Sequence, residues 1–471
     1  MPNEQPGASA GRVSEFVRAR TLIEYPRGGH RWSLLLLTML ASILASFEFQ
    51  LAPLLPLLLP YLHMSRIGYG YLITSLILLG GISAFYGGPL ADRYGRVLVI
   101  DVCLAMVIVL LFANVLITNV TTFVIVRAAM GIVAGLMAGA LAALVRDMSP
   151  RLTRALSFAL LTIGPVGSNW LAAAIAGATL PIYHTWQSQI WIMGVIGIAL
   201  YIPIAIWLSD LSPELRMRIF KSEIAAMAAE GRRLPTAAEL PSSTRDAYAR
   251  LLKHFEIWLL VVGIALFLIL YTAIQAFGPL IFTDAFHYSA ANAARLTSYF
   301  WLSNIASLLL TGLISDRLQT RKPIAIIGAI LVTALTAYWI PMIGHATPER
   351  TLALVATMMG CFLGIAYVPW AAQFSETLED ISPALQATGW AFFGLVARAL
   401  GAITAPLSLY VAVHHGWGAW ISVAAWAMTG YIIAMFLSQG RFYRAAKAAV
   451  ALDTAARAAA LAAAGAAGTG R

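Results

Sequence analysis

Charge is scarce in this sequence. Asp, Glu, Lys and Arg make up 11% of its 471 residues and hydrophobic residues 60%, against roughly 25% charged in an ordinary soluble domain. Such a chain cannot cover a water-facing surface, which sets aside a large soluble enzyme and puts the protein in lipid. Cysteine is almost absent. Cys103 and Cys361 both lie inside apolar runs, so neither metal-site spacing nor a disulfide framework is available. A nucleophile triad and a phosphate-cradling loop are missing as well, so neither an enzyme nor a cofactor is expected. What the sequence has instead is a succession of apolar runs, each long enough to cross a bilayer as a helix of about 20 residues. They begin near Ser33, Tyr69, Val97, Thr122, Ala155 and Gln189, and again near Phe255, Ala293, Pro323, Leu352, Thr388 and Trp417. The expected fold is an all-α membrane protein of twelve transmembrane helices in two six-helix bundles.

Charge collects between the runs. Residues 1–32 read as an N-terminal tail, 33–208 as the first bundle, 209–254 as a polar central loop, 255–439 as the second bundle and 440–471 as an Ala-rich tail. If both termini are cytosolic, twenty-six of the thirty-one Lys and Arg residues lie on the cytosolic side, and the external loops keep only Arg66, Arg295 and Arg350. That is a strong positive-inside asymmetry. It accounts for the net charge of +10, and its dispersal over many loops leaves no single basic face for nucleic acid. The N-terminal tail does not read as a cleavable signal peptide, because the apolar segment after it is too long and has no small-residue cleavage site. The central loop reads as a solvated linker, with a regulatory site as the second reading. Asn119-Val-Thr121 matches a glycosylation sequon by chance, being close to the bilayer in a very short loop. The expected location is a plasma membrane of the bacterial inner-membrane kind. The expected partners are the lipid bilayer and a small molecule, and the expected state is a monomer.

One polar stretch organises the rest. Gly87 to Arg96, Gly-Gly-Pro-Leu-Ala-Asp-Arg-Tyr-Gly-Arg, sits between the second and third runs, and a weaker copy, Gly312-Leu-Ile-Ser-Asp316-Arg317-Leu-Gln-Thr-Arg321-Lys322, recurs between the eighth and ninth. Asp92 and Asp316 mark equivalent points of two similar halves. Gly88 and Gly95 permit tight turns and close helix approach, Asp92 stands where it can satisfy the free N–H groups of the third span, and Arg93 and Arg96 stay on the cytosolic side. With twelve spans in two sixes and a long middle loop, this Gly-x-Leu-Ala-Asp-Arg-x-Gly-Arg resembles the major facilitator superfamily of secondary transporters, from about residue 30 to 440. The resemblance implies two halves related by a pseudo-twofold axis, a site between them near mid-bilayer, and a latch at Gly88, Asp92, Arg93, Gly95, Arg96, Asp316 and Arg317. Val97 stands where the family has a further basic residue. A tight loop with topology-setting charges is the alternative.

The informative charges are those placed in lipid, where they are costly. Glu48 lies in the first run and Arg127 in the fourth. At about 1.5 Å per residue, Glu48 falls roughly 23 Å from the inner end and Arg127 roughly 8 Å below the outer end, so both sit in the outer half of a core about 30 Å thick and can pair. Burial raises a carboxyl pKa and a nearby arginine lowers it, which suits Glu48 to proton coupling with Arg127 as partner, the proton gradient being the driving force. A permanent structural ion pair is the other reading. Arg127-x-x-x-Gly131-x-x-x-Gly135-x-x-x-Gly139 also resembles the family's fourth-span motif, whose arginine is linked to proton coupling. Its small residues allow a close helix neighbour.

Arg398, in the eleventh run, lies roughly 15 Å deep and has no acid at its level in its own half. An anionic substrate group held in a bidentate pair explains it. The alternatives are a carbonyl, Glu48, or the acidic loop of Glu376, Glu379 and Asp380. Gln50, Asn169, Trp170, Tyr271, Gln275, Trp301, Asn304, Tyr367 and Trp370 are candidates to line the same cavity, with a helix break or a simple kink expected at Gly278-Pro279. In the fifth run, Leu160 and Ser168 stand where the family's antiporter motif has glycines, which weakens a drug-efflux reading. Tyr367 to Gly389 resembles uptake transporters of sugars or organic acids. The resulting expectation is proton-coupled symport of a small organic anion. A proton-driven exporter of amphipathic compounds and a sugar symporter stay open.

Overall fold

The computed structural model describes residues 20–26, 28–148, 154–216, 218, 244–318, 320–381 and 385–439; side chains at 48–50, 88, 92, 146, 154–159, 244–245, 247, 379–380 and 386–387 lie outside the description. The Ala-rich tail and most of the N-terminal tail and central loop likewise lie outside the described residues.

The first apolar run does not make one helix. α1 (Gly28–Ala45) ends at Ser46, the chain tightens into a 3-10 stretch over Phe47–Leu54 with Pro53 inside it, and α2 (Leu55–Tyr61) follows with Pro60 inside. Each proline lacks an N–H and crowds the preceding turn, which favours the tighter geometry. Then come α3 (Arg66–Tyr94), α4 (Arg96–Ala113), α5 (Val120–Asp147), α6 (Arg154–Tyr183) and α7 (Trp186–Trp207). After a short α8 (Thr244–Leu251) the second set is α9 (Phe255–Phe286), α10 (Ala290–Leu318), α11 (Lys322–Trp339), α12 (Glu349–Ile381) and α13 (Gln386–Leu437). Among the described residues ten helices, α3 to α7 and α9 to α13, are long and apolar enough to cross a membrane.

Of two expected breaks one is absent and the other is present. Gly278-Pro279 was the expected break of the seventh run, yet α9 passes through both residues as a helix of 32; proline is tolerated in long membrane helices where neighbours satisfy the freed backbone groups. The boundary expected ahead of Trp417 is present: α13, 52 residues in all, is two helices that meet across a kink at Gly416, at φ 82° and ψ 162°. That backbone region is open essentially to glycine alone.

Small residues set the closest packing. The side of Gly87 that a Cβ would occupy is taken by the Leu136 carbonyl of α5, and Gly135 meets Ser83 and Gly80 of α3 in the same way. Apolar burial divides into two clusters. One belongs to the first half, from Leu34 through α4 and α5 to Leu208. The other joins the second half to Leu51–Leu62, Phe123, Ala176 and Leu180 of the first. We call the membrane face that carries Gly95 the motif face and the opposite one, with His63 and Arg66, the far face. The first half's share of that cluster lies toward the far face, so that is where the apolar contact between the halves is made.

Candidate functional site

Two seams join the halves. Along α3 and α13, a Cβ on Gly70 would stand 2.7 Å from Pro406 Cα, Thr74 Oγ1 donates to the Ala402 carbonyl at 2.6 Å, and a Cβ on Gly401 would reach Ile77 at 3.3 Å. About two turns further toward the motif face a Cβ on Gly394 would meet nothing within 4 Å. α6 and α10 also come close at the far face, the Gly177 position lying 2.9 Å from the Arg295 backbone nitrogen. The halves therefore converge at the far face and part toward the motif face, leaving a cleft that opens there.

Arg398 sits where the α3–α13 seam begins to part. Its side chain is exposed and lies along Gly80 and Gly81, with Nη1 3.7 Å from the Cβ position of Gly80. No carboxylate among the described residues pairs with it. A permanently charged, five-donor fork facing a cleft without a fixed partner is suited to a carboxylate or phosphate brought from solution.

The second half gathers several of the other candidates. Tyr271 stacks on Phe267 at 5.8 Å, meets Trp301 edge-on at 5.9 Å, and donates its hydroxyl to Asn304 Oδ1 at 3.3 Å. Tyr367 joins the group through Phe267 and Trp370. These residues do not all reach the cleft. Asn304 is fully buried and donates to the Gly360 carbonyl, Trp301 is 1% exposed, and Trp370 is 0% exposed with its Nε1–H given to the Leu260 carbonyl. Trp301, Asn304 and Trp370 pack the second half, while Tyr271, Gln275 and Tyr367 remain half-buried. In the first half Trp170 is half-buried, and Asn169 is buried with its amide turned back onto Pro165.

The broken first span brings Glu48 and Gln50 into the 3-10 stretch; their side chains lie outside the description. Ser168 Oγ donates to the Ser46 carbonyl at 2.9 Å, so the serine that departs from the antiporter pattern satisfies a backbone group at the helix break. Arg127 is 7% exposed and has no described carboxylate. Its Nη1 lies 3.8 Å from Met130 Sδ and its Nε has no partner among the described residues. Asn114 donates to the same sulfur, with its Oδ1 unpartnered. A buried arginine of this kind is costly unless an anion meets it.

At the motif face Gly95, at φ 96°, turns α3 into α4. The Arg96 N–H at the start of α4 donates to Asp210 Oδ2 at 2.8 Å, and the capping role expected of Asp92 falls on a side chain outside the description. The Arg96 side chain pairs with Asp147, Arg216 bridges Asp147 and Asp210, and Arg93 is exposed. In the second copy Arg321 takes the matching place, pairing with Asp316 at 2.8 Å and Glu376 at 3.1 Å, and Arg317 is exposed. A short parallel pair, β1 (Thr21–Leu22) against β2 (Asp210–Leu211), brings Arg20 in, where it pairs with buried Asp101 and donates to the Ile204 and Leu208 carbonyls at the end of α7. Asp101 went unnoticed in the sequence, although a lone acid in an apolar run is the signal that marks Glu48. Asp210→Ala leaves the Arg96 N–H without its acceptor and Arg216 with Asp147 alone, a loss of about 1–3 kcal/mol. The expected result is a lower melting temperature of the purified protein, with Asp210→Asn recovering part of it.

The comparisons follow the same lines. The profile of the Major Facilitator Superfamily matches residues 34–406. The gallate transporter of Pseudomonas putida is 24% identical over 327 residues, which are 66% of this chain and 72% of that protein. The crystal structure of a D-xylose-proton symporter aligns with TM-score 0.63 at 14% identity, covering 86% of this chain and 97% of that one; at that identity the likeness is one of fold. With two helical sets parting around a cleft and the family's profile across most of its length, the chain belongs to the major facilitator superfamily and is a multi-pass membrane transporter, not an enzyme.

Proposed function

We propose that the protein moves a small organic anion together with protons by alternating access, with α1 and α2 as one broken span and α13 as two, twelve spans in all in two six-helix bundles. The motif face is the cytosolic one in this reading, on the strength of the basic residues that gather there, and both termini lie on it, as in a bacterial inner membrane. The cleft then faces the cytosol. The observation that carries the reading is Arg398: an exposed guanidinium beside the parting seam, without a carboxylate partner among the described residues. Tyr271, Gln275 and Tyr367 offer aromatic and polar groups to a substrate, which suits an aromatic carboxylate better than a simple ion. The distant kinship with a gallate transporter supports the same substrate class, since gallate is an aromatic carboxylate. Glu48 and Arg127 are the proton-coupling pair in this reading, an acid supplied by the broken span meeting a buried arginine that lacks a described acceptor.

The test is uptake into vesicles containing the purified protein, under an imposed pH gradient, of aromatic and aliphatic carboxylates, sugars and cationic dyes in turn. The proposal expects accumulation of an acid that collapses with a protonophore. Accumulation of a sugar alone, or dye export alone, would overturn it.

A further inference from the structure

We propose that Arg66 and Asp284 are the lock of the far face: a positioning pair that holds the two halves closed there while the cleft is open to the motif face. The proposal rests on the alternating-access reading above, but its test does not depend on substrate. Arg66 Nη2 lies 2.6 Å from Asp284 Oδ1, and the pair crosses from the first half to the second. The other ion pairs named so far, Arg20 with Asp101, Arg96 with Asp147 and Arg321 with Asp316 and Glu376, each stay within one half.

The two partners are held differently. Asp284 stands near the end of α9, its side chain 15% exposed, and its second oxygen accepts the Trp417 Nε1–H at 3.0 Å. Trp417 is buried against Phe277 at 6.1 Å and follows directly on Gly416, the one residue of α13 that leaves helical geometry. The bend at Gly416 thus delivers the indole that orients the carboxylate, and both groups belong to the second half. Asp284 is the fixed post. Arg66 is the first residue of α3, and its side chain is 44% exposed. Ser65, whose Oγ accepts the Gly68 N–H at 3.0 Å, anchors the turn that carries it. When the halves part at the far face, Arg66 leaves with α3 and is rehydrated at little cost, while Asp284 keeps its indole donor. The neighbouring seam contacts, Thr74 to the Ala402 carbonyl and Gly70 against Pro406, involve backbone atoms and fix where the halves meet. The ion pair adds a contact that exists in one state and is lost in the other, which is what shifts a two-state equilibrium.

The experiment uses the full-length protein in nanodiscs, with Cys103 and Cys361 replaced by alanine and spin labels on Asn119→Cys and Ala346→Cys, which are exposed far-face positions on opposite halves. Arg66→Ala and Asp284→Asn are each expected to raise the population with the longer label distance by about two- to fivefold, the range a partly exposed ion pair supplies. Trp417→Phe is expected to move it in the same direction and by less, and Arg66→Lys to restore it. Molar salt is expected to open the unsubstituted protein and leave Arg66→Ala unchanged, a readout that needs no variant to fold. Label distances unaffected by Arg66→Ala, by Asp284→Asn and by salt would overturn the lock, and they would do so without touching the substrate assignment, which uptake measures separately.

Discussion

Arg398→Ala is expected to remove half or more of the stabilisation that an organic anion gives the purified protein. A ligand at a hundred times its dissociation constant raises stability by about 2.7 kcal/mol through mass action. Losing charged hydrogen bonds worth about 1.5–3 kcal/mol weakens binding roughly ten- to a hundredfold. At that fixed ligand concentration the stabilisation therefore falls to about 0.4–1.4 kcal/mol, and half or more of the melting-temperature shift disappears. The variant itself should melt close to the parent, because no carboxylate among the described residues is left stranded when the guanidinium goes. That separates it from a residue that merely holds the fold. Arg398→Lys keeps the charge and loses the planar fork, so it is expected to fall between the two. An acid-induced shift of full size in Arg398→Ala would sink the assignment.

Glu48→Gln is expected to uncouple transport. Glutamine keeps the size and hydrogen-bonding capacity of a protonated glutamate but never ionises, so the site can no longer release the proton it is meant to carry. Uptake against a concentration gradient should fall to the level seen without a pH gradient, while exchange of external for internal substrate continues. Arg127 supplies a second arm. If the acid and Arg127 form only a structural pair, Glu48→Gln leaves a buried guanidinium unmatched; stability then drops by several kcal/mol, and exchange falls along with accumulation. Retained accumulation in a well-folded Glu48→Gln protein would rule out the coupling role. The order of the two losses distinguishes coupling from architecture.

Much of the fold was legible because lipid demands it. Every run that must hide its backbone from hydrocarbon has to be helical and long, and helices begin within a few residues of the expected starts at Val97, Ala155, Phe255 and Pro323. The break in the first run was less legible because its residues are as apolar as those of a continuous helix. Pro53, Pro56 and Pro60 were the only clue, and the same kind of clue at Pro279 pointed to a break that does not exist. Proline states that one hydrogen bond is missing; the neighbouring helices decide whether the chain bends. The orientation of aromatics was also beyond the sequence, since Tyr271 and Trp370 share an apolar helical setting and differ only in what packs over them. Asp210 was invisible for another reason. Its partner's N–H lies 114 residues earlier, and no local pattern announces a cap supplied from that distance. Arg398 could be singled out from sequence because a cation in an apolar run stands alone wherever the helix faces.

The β1–β2 pairing bears on how the chain is made. Arg20 emerges from the ribosome long before the α7 carbonyls it serves and before Asp210, whose strand closes beside it. Among the described residues Asp101, buried in α4, has no hydrogen-bond donor at one oxygen, and this early arginine pairs with the other. Domains fold as units during synthesis, N-terminal parts first. For the first half that unit is complete only after Arg216 has been added, some way past the last of its membrane helices. Until then the nascent half carries Asp147 without the Arg216 side of its bridge and α4 without its cap. A polypeptide cut after residue 208 would keep all the membrane helices of that half and still lack the pieces that finish it.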